Sequence, residues 1–302
     1  MRFSVWPSLA NPWSDVLAAA QHAEATGWDG VYVADHFMGD AGGPVPVETP
    51  TLEATAVLAA LAGLTERVRL APLVLGITYR HPAVLAKWVA TTDHLSGGRL
   101  LLGVGAGWQE NEHEQYGIAL GPPGERITRF EEALRILRGL LDEPTTTVEG
   151  EHYTVRDAIA EPKPVQPKLP ILVGGKGDRM LGAVARHADE WNMWSSPVQL
   201  AERRAVLDQR CEKHGRDPGS IATSTQALTF VLPDNGKADD LAARVAPRPA
   251  IAGTPERIAE IVGRYAEVGV DELIVPDFTL GTGSRRADAL DAIIERVAPQ
   301  FR

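Results

Sequence analysis

Residues Arg99 to Gly117 read RLLLGVGAGWQENEHEQYG, and the rest of the chain is best understood outward from them. Arg99 to Val104 is a short apolar run of the kind that forms a strand buried on both faces, as in an all-parallel sheet, so other structure must cover it on either side. Gly103, Gly105 and Gly107 then remove side chains at the strand's exit, where a flat ligand or another stretch of backbone can approach closely. The polarity changes at once. Trp108, Gln109, Glu110, Asn111, Glu112, His113, Glu114 and Gln115 put one aromatic plate and a dense polar set into a single loop. In a barrel of parallel strands such a loop lies at the C-terminal mouth, where sites are built.

The flanking sequence repeats a strand–helix unit. Arg2 to Pro7 is a strand, and the Asn11-Pro12 pair turns into a helix capped by Ser14 and ended by Gly27. Gly30 to Asp35 is the next strand, followed by a Gly/Pro-rich loop from Ala41 to Pro50 and a helix from Leu52 to Leu64. Val68 to Leu75 leads to a helix from Pro82 to Leu95, and Arg99 to Gly105 to a helix from Glu125 to Leu141, with Phe130, Leu134, Leu137 and Leu141 on one face. Then the repeat is interrupted. TTTVEGEHYTV has the pattern of a hairpin turning at Glu149-Gly150, and EPKPVQPKLP is a proline-rich connector. Strands at Ile171 to Val173, Glu190 to Trp194, Ile221 to Leu232 and Asp271 to Pro276 resume the count, with helices at Asp178 to His187, Val198 to His214, Thr254 to Val268 and Arg285 to Val297. Eight such units specify an α/β fold, a (β/α)8 TIM barrel forming one domain over residues 1–302, with the hairpin and connector inserted after the fourth helix.

Composition narrows the function. Of the 302 residues 44% are hydrophobic, enough for a large core, and a net charge of -10 argues against a nucleic-acid partner. Cys211 is the only cysteine, which rules out an internal disulfide and a thiolate cluster and fits a reducing cytoplasm. The N-terminus lacks an apolar signal region and no run reaches membrane-spanning length, so a cytoplasmic protein without a membrane partner is expected.

The strand ends name the candidate site: Trp6, Asp35 and His36, Leu75 to Tyr79, Gly105 to His113, Gly174 to Lys176, Asn192 to Trp194, Gln226 and Asp277. At that position His36 either caps its strand, moves a proton near neutral pH or hydrogen-bonds a cofactor ring; Asp35 beside it either stabilises a charged imidazole or meets substrate. Gly174-Gly175-Lys176-Gly177 precedes a helix, so its amides, with Lys176 and Arg179, suit an anionic group such as phosphate. The spacing G-x-G-x-G at Gly103, Gly105 and Gly107 is not a dinucleotide fingerprint, and the eight histidines show neither H-x-H nor HExxH, so no metal is expected. Trp6, Trp108 and Trp194 can flank a planar ligand, whereas Trp191 reads as core.

GWDGVYVADHF, TYRHPAVLAK, DHLSGGRLLLGVGAGWQENEHEQYG and EPKPVQPKLPILVGG together resemble the luciferase-like monooxygenase superfamily, in its branch dependent on coenzyme F420. The resemblance spans nearly the whole chain. It implies hydride transfer between this deazaflavin and a small organic substrate; the alternatives it leaves are an FMN-dependent monooxygenase using oxygen and a flavin-binding protein without turnover. It further implies His36 and Asp35 beside the ring, and a bulge with a non-prolyl cis peptide near Leu73-Val74 supporting it. Gly174, Gly175, Lys176 and Gly177 would hold the phosphate, Trp108, Gln109 and Asn111 would line the ring or substrate edge, and Trp6, Gly105 and Gln226 would complete the pocket. Residues 38–50 and 278–284 would face substrate, and a homodimer is compatible with the family. Related deazaflavin dehydrogenases of sugar phosphates place a glutamate just after the fourth strand's glycines, where Ala106 stands in this sequence, which speaks against a sugar-phosphate substrate.

Overall fold

A computed structural model describes residues 1–302. Its strands and helices alternate as β1 (Arg2–Trp6), α1 (Trp13–Thr26), β2 (Gly30–Val33), α2 (Ala54–Leu64), β3 (Arg69–Pro72), β4 (Leu75–Gly76), α3 (Pro82–Ser96) and β5 (Leu102–Gly105). Next come α4 (Glu110–Gln115), α5 (Pro123–Asp142), β6 (Thr146–Glu149), β7 (Thr154–Ala158), β8 (Ile171–Gly174), α6 (Asp178–His187), β9 (Glu190–Trp194) and α7 (Pro197–Lys213). The chain ends with β10 (Ala222–Gln226), β11 (Leu228–Val231), α8 (Ala238–Arg244), β12 (Ala250–Gly253), α9 (Pro255–Glu267), β13 (Glu272–Pro276) and α10 (Gly283–Arg296).

The main sheet runs β3-β2-β1-β13-β10-β9-β8-β5-β4, parallel throughout. Because β3 and β4 are two halves of the third strand, and Leu70 bridges to Leu100, the sheet closes on itself as an eight-stranded barrel. Period-two alternation sorts the side chains. Trp6, Tyr32, Ala71, Leu73, Leu101, Leu172 and Ile274 cluster within the barrel, while Phe3, Val5, Val31, Val33, Val104, Ile171 and Val173 join the larger core packed under the helices. Each βα unit thus buries a strand on both faces, as the apolar runs required. No helix is long and apolar enough to cross a membrane.

Three local expectations change, and one is met. The first helix begins at Trp13 after Pro12, so Ser14 lies inside it and makes no cap; Gly27 ends it in a left-handed conformation as expected. The third strand breaks at Leu73-Val74, whose non-prolyl peptide bond is cis, as the resemblance implied. The apolar run from Ile221 to Leu232 is two strands, since after Gln226 the chain leaves the barrel and β11 pairs with β12 instead. The polar segment after Trp108 contains the short helix α4.

At the N-terminal end of the barrel, Arg2, Arg69, Glu190 and Glu272 form a closed quartet of two cations and two anions. Arg2 Nε lies 3.0 Å from Glu272 Oε2, and Arg69 pairs with both Glu190 and, at 3.5 Å, Glu272. Ser4 donates to Glu272 as well. This quartet is the barrel's floor.

Candidate active site

The opposite end of the barrel is built on a second set of buried charges. Asp35, just past β2, has a carboxylate with 0% side-chain exposure. Arg80 grips it through two hydrogen bonds of 2.7 and 2.9 Å, and the Gly76 amide donates to it at 2.9 Å. Arg80 also pairs with Glu53, the residue that caps α2. These bonds occupy Asp35, which fastens β2 to the β4 end and to α3; its geometry is that of a positioning residue.

His36 faces the other way. Its Nδ1 lies 2.9 Å from Glu112 Oε1, its side chain is 29% exposed, and its ring meets Trp108 edge-on with centroids 5.4 Å apart. Glu112, on α4, falls within the candidate stretch Gly105 to His113, but the sequence gives it no role of its own. Its carboxylate is sealed from solvent and also accepts from the Phe37 amide at 2.9 Å and from the Tyr79 hydroxyl. Burial alone would raise its pKa, but the hydrogen bonds from His36, Phe37 and Tyr79 hold it below the ordinary carboxylate range. Tyr79 is pushed well above the usual phenol value by burial and by that same carboxylate, so it remains a donor. The next residue, His113, is clasped between the Gln109 carbonyl at 2.6 Å and Thr78 Oγ1 at 2.7 Å. Thus α4 is wedged against the ends of β2 and β4 by its polar residues.

The remaining candidates separate by position. Gln109 is buried and donates to the Met38 carbonyl at 3.2 Å, and Asn111 donates to the Gly39 carbonyl at 3.0 Å, so both tie α4 to the loop after His36. Asn111 keeps a buried Oδ1 without a partner. Trp108 is 57% exposed at the rim. Across the barrel Trp6 packs on Trp194 at 5.7 Å and on Phe278 at 5.1 Å, while Trp191 is core and donates to the Gly175 carbonyl. Gln226 accepts from Asn192 at 2.8 Å, and its own amide nitrogen has no protein partner.

What approaches the glycines is largely protein. A methyl group at Gly105 would sit 2.7 Å from Val74 Cγ2, one at Gly174 3.0 Å from the same atom, and one at Gly103 would collide with the Pro72 carbonyl. Val74 therefore occupies the space these glycines clear. Gly175 is likewise enclosed, over Met180, whereas Lys176 and Gly177 are exposed. The first turn of α6 has no side-chain cap, leaving its amides open to an anion.

The barrel and this mouth agree with what sequence comparison finds: residues 1–251 match the model of the luciferase-like monooxygenases, and the chain belongs to that family of oxidoreductases. An uncharacterized protein of Mycobacterium tuberculosis is 33% identical over 299 residues, covering 94% of this chain and 93% of that one. A protein of Beutenbergia cavernae named F420-dependent glucose-6-phosphate dehydrogenase is 29% identical, with 95% and 93% covered. A pyrimidine monooxygenase of Cronobacter sakazakii is 31% identical over 59% of this chain and 54% of its own. Among solved structures, an F420-dependent secondary alcohol dehydrogenase superposes with a TM-score of 0.87 at 21% identity, covering 100% and 99% of the two chains, which establishes the shared fold.

Proposed function

We propose that the protein transfers a hydride between coenzyme F420 and a small organic substrate, with His36 as the group that holds or moves the accompanying proton. The observation that carries this reading is His36 itself: a partly exposed imidazole at a strand end, anchored from behind by a sealed carboxylate and edged by an exposed tryptophan. That is the arrangement of a proton-handling group with an orienting partner. The near full-length similarity to a deazaflavin dehydrogenase supports this cofactor.

The residues present fit such a cofactor. Lys176 makes no ion pair, Gly177 has open space about its Cα, and the uncapped amides of α6 adjoin both, so they would hold a phosphate; Asp178 in the same turn is engaged by Arg203. Val74, Trp6, Trp108 and the free amide of Gln226 would border the ring. A bound deazaflavin supplies the carbon that gives or takes the hydride. The chain's own part is orientation: Asp35 and Arg80 hold the β2 end, α4 holds His36, and Trp108 shields it from bulk water.

The shorter match to a monooxygenase favours a second reading, an FMN enzyme using oxygen. Quenching of the mouth tryptophans, titrated in parallel with coenzyme F420 and FMN, separates the two. Saturable binding of the deazaflavin alone is expected; preference for FMN overturns the assignment, and binding of neither removes both readings.

A further inference from the structure

Eight histidines occur in the chain, and at His36 the protein's own hydrogen bonds determine which ring nitrogen carries a proton. Glu112 accepts three hydrogen bonds at once: from His36 Nδ1 and the Tyr79 hydroxyl at Oε1, and from the Phe37 amide at Oε2. The Phe37 amide can only donate. A carboxylate with no proton of its own is acceptor-only, so the nitrogen facing it must bring the hydrogen. From the far side, His36 Nε2 has no partner in the protein and is not sealed off from solvent.

We infer that Glu112 is a positioning residue that holds His36 as its Nδ1–H tautomer, leaving Nε2 bare and turned to the mouth as the atom that takes a proton from substrate or returns it. The proton-transfer role rests on the hydride-transfer reading above; the tautomer does not. The lowered pKa of Glu112 agrees with an ionised carboxylate at neutral pH. Packing agrees too. Tyr79, the second donor, lies against Phe37 and His113, with ring centroids 4.7 Å apart in both cases, so it cannot swing away without disturbing α4. The other charged groups of this wall are spoken for, since Asp35 is bound by Arg80, Arg80 also by Glu53, and His113 lies between a carbonyl and a hydroxyl. Glu112 is therefore the carboxylate that acts on His36.

A bare nitrogen beside a hydride-transfer site serves a substrate that exchanges a proton on oxygen or nitrogen at the carbon that exchanges hydride, such as a carbinol and its carbonyl. It offers nothing to the saturation of an unactivated alkene.

The test uses the cofactor-free protein with nitrogen-labelled histidine. Long-range proton–nitrogen spectra of the neutral rings show which nitrogen of each is protonated, and His36→Gln identifies the His36 signals by their loss. The expected wild-type result is Nδ1 protonated and Nε2 bare; a wild-type His36 ring with its proton on Nε2 overturns the inference whatever the Glu112 variant does. In Glu112→Ala the proton should move to Nε2, the form free histidine prefers, and an unmoved proton would show that something other than Glu112 sets the ring. In Tyr79→Phe the Nδ1–H form should persist, because the contact between Glu112 and His36 is kept. Cofactor titration is read separately, so a failed hydride-transfer reading leaves the tautomer result standing.

Discussion

Both ends of this barrel bury ionisable groups, and they end differently. At the floor, Arg2, Arg69, Glu190 and Glu272 pair with one another in a ring, and the charges return on themselves, although Arg2 Nη2 and Glu190 Oε2 are left without a hydrogen-bond partner. At the mouth, one chain of bonds likewise closes, Asp35 to Arg80 to Glu53, but the other runs from Tyr79 through Glu112 to His36 and stops at a nitrogen that the protein leaves free. Buried charge alone is therefore no sign of chemistry. A network that closes fixes a shape, and one that terminates on an open titratable atom can act.

Substitutions at the two ends should separate these roles. The largest effect is expected at His36→Ala, which should lower turnover by about 10²- to 10⁴-fold, as for loss of a general acid or base, with cofactor affinity largely kept. Steady-state rates together with a binding titration check this; unchanged rates would place the mouth with the floor. Next, Glu272→Ala leaves Arg69 with Glu190 and a partly exposed Arg2 with one carboxylate fewer between them, and should cost about 1–3 kcal/mol of stability in denaturant unfolding. The surviving folded enzyme should turn over normally, and a loss of turnover per folded molecule would break the distinction.

A half-buried imidazole at the floor sharpens it. His187, at the floor end of α6, is pulled from the ordinary 6.5 down to about 4, first by burial and then by Arg186, Arg135, Arg138 and Arg216. Its folded value lies below its unfolded one, so its contribution is whole above about pH 6.5 and is lost as the pH falls toward 4. We expect wild type to lose about 1–2 kcal/mol more than His187→Asn over that window, allowing for partial solvent screening, in urea unfolding at several pH values. Equal losses would remove His187 as the titrating group. The smallest effect is expected at Lys176→Ala, about two- to fivefold in cofactor affinity, the scale of one exposed charge at a helix N-terminus. An unaltered dissociation constant would take the phosphate assignment away from this turn.

The alternation of β and α was legible because most barrel strands are apolar runs bounded by glycine, proline or a polar cap, and counting eight units needs only that punctuation. What escaped was carried by residues without such periodicity. ENEHEQ shows no apolar stripe, because α4 turns Glu112 and His113 inward in place of apolar side chains. Residues Ile221 to Leu232 are small, apolar or β-branched on either side of Gln226, so nothing local marks where the chain leaves the barrel to meet β12. Asp35 was legible as a mouth residue, but its partner Arg80 lies 45 positions away, and pairing at that distance is written only in the fold. The turn from Gly174 to Gly177 was read as one unit; packing divides it into two enclosed glycines and two exposed residues.

The space between Val74 and Gly105 also has a hereditary side. Valine's branched side chain cannot bend away, so alanine at 105 should be tolerated only in company with a smaller residue at 74. A selection for active protein from a library randomised at both codons would then recover second-site suppressors rather than single changes. The shape of the mouth would pass between descendants as a linked pair of letters 31 positions apart.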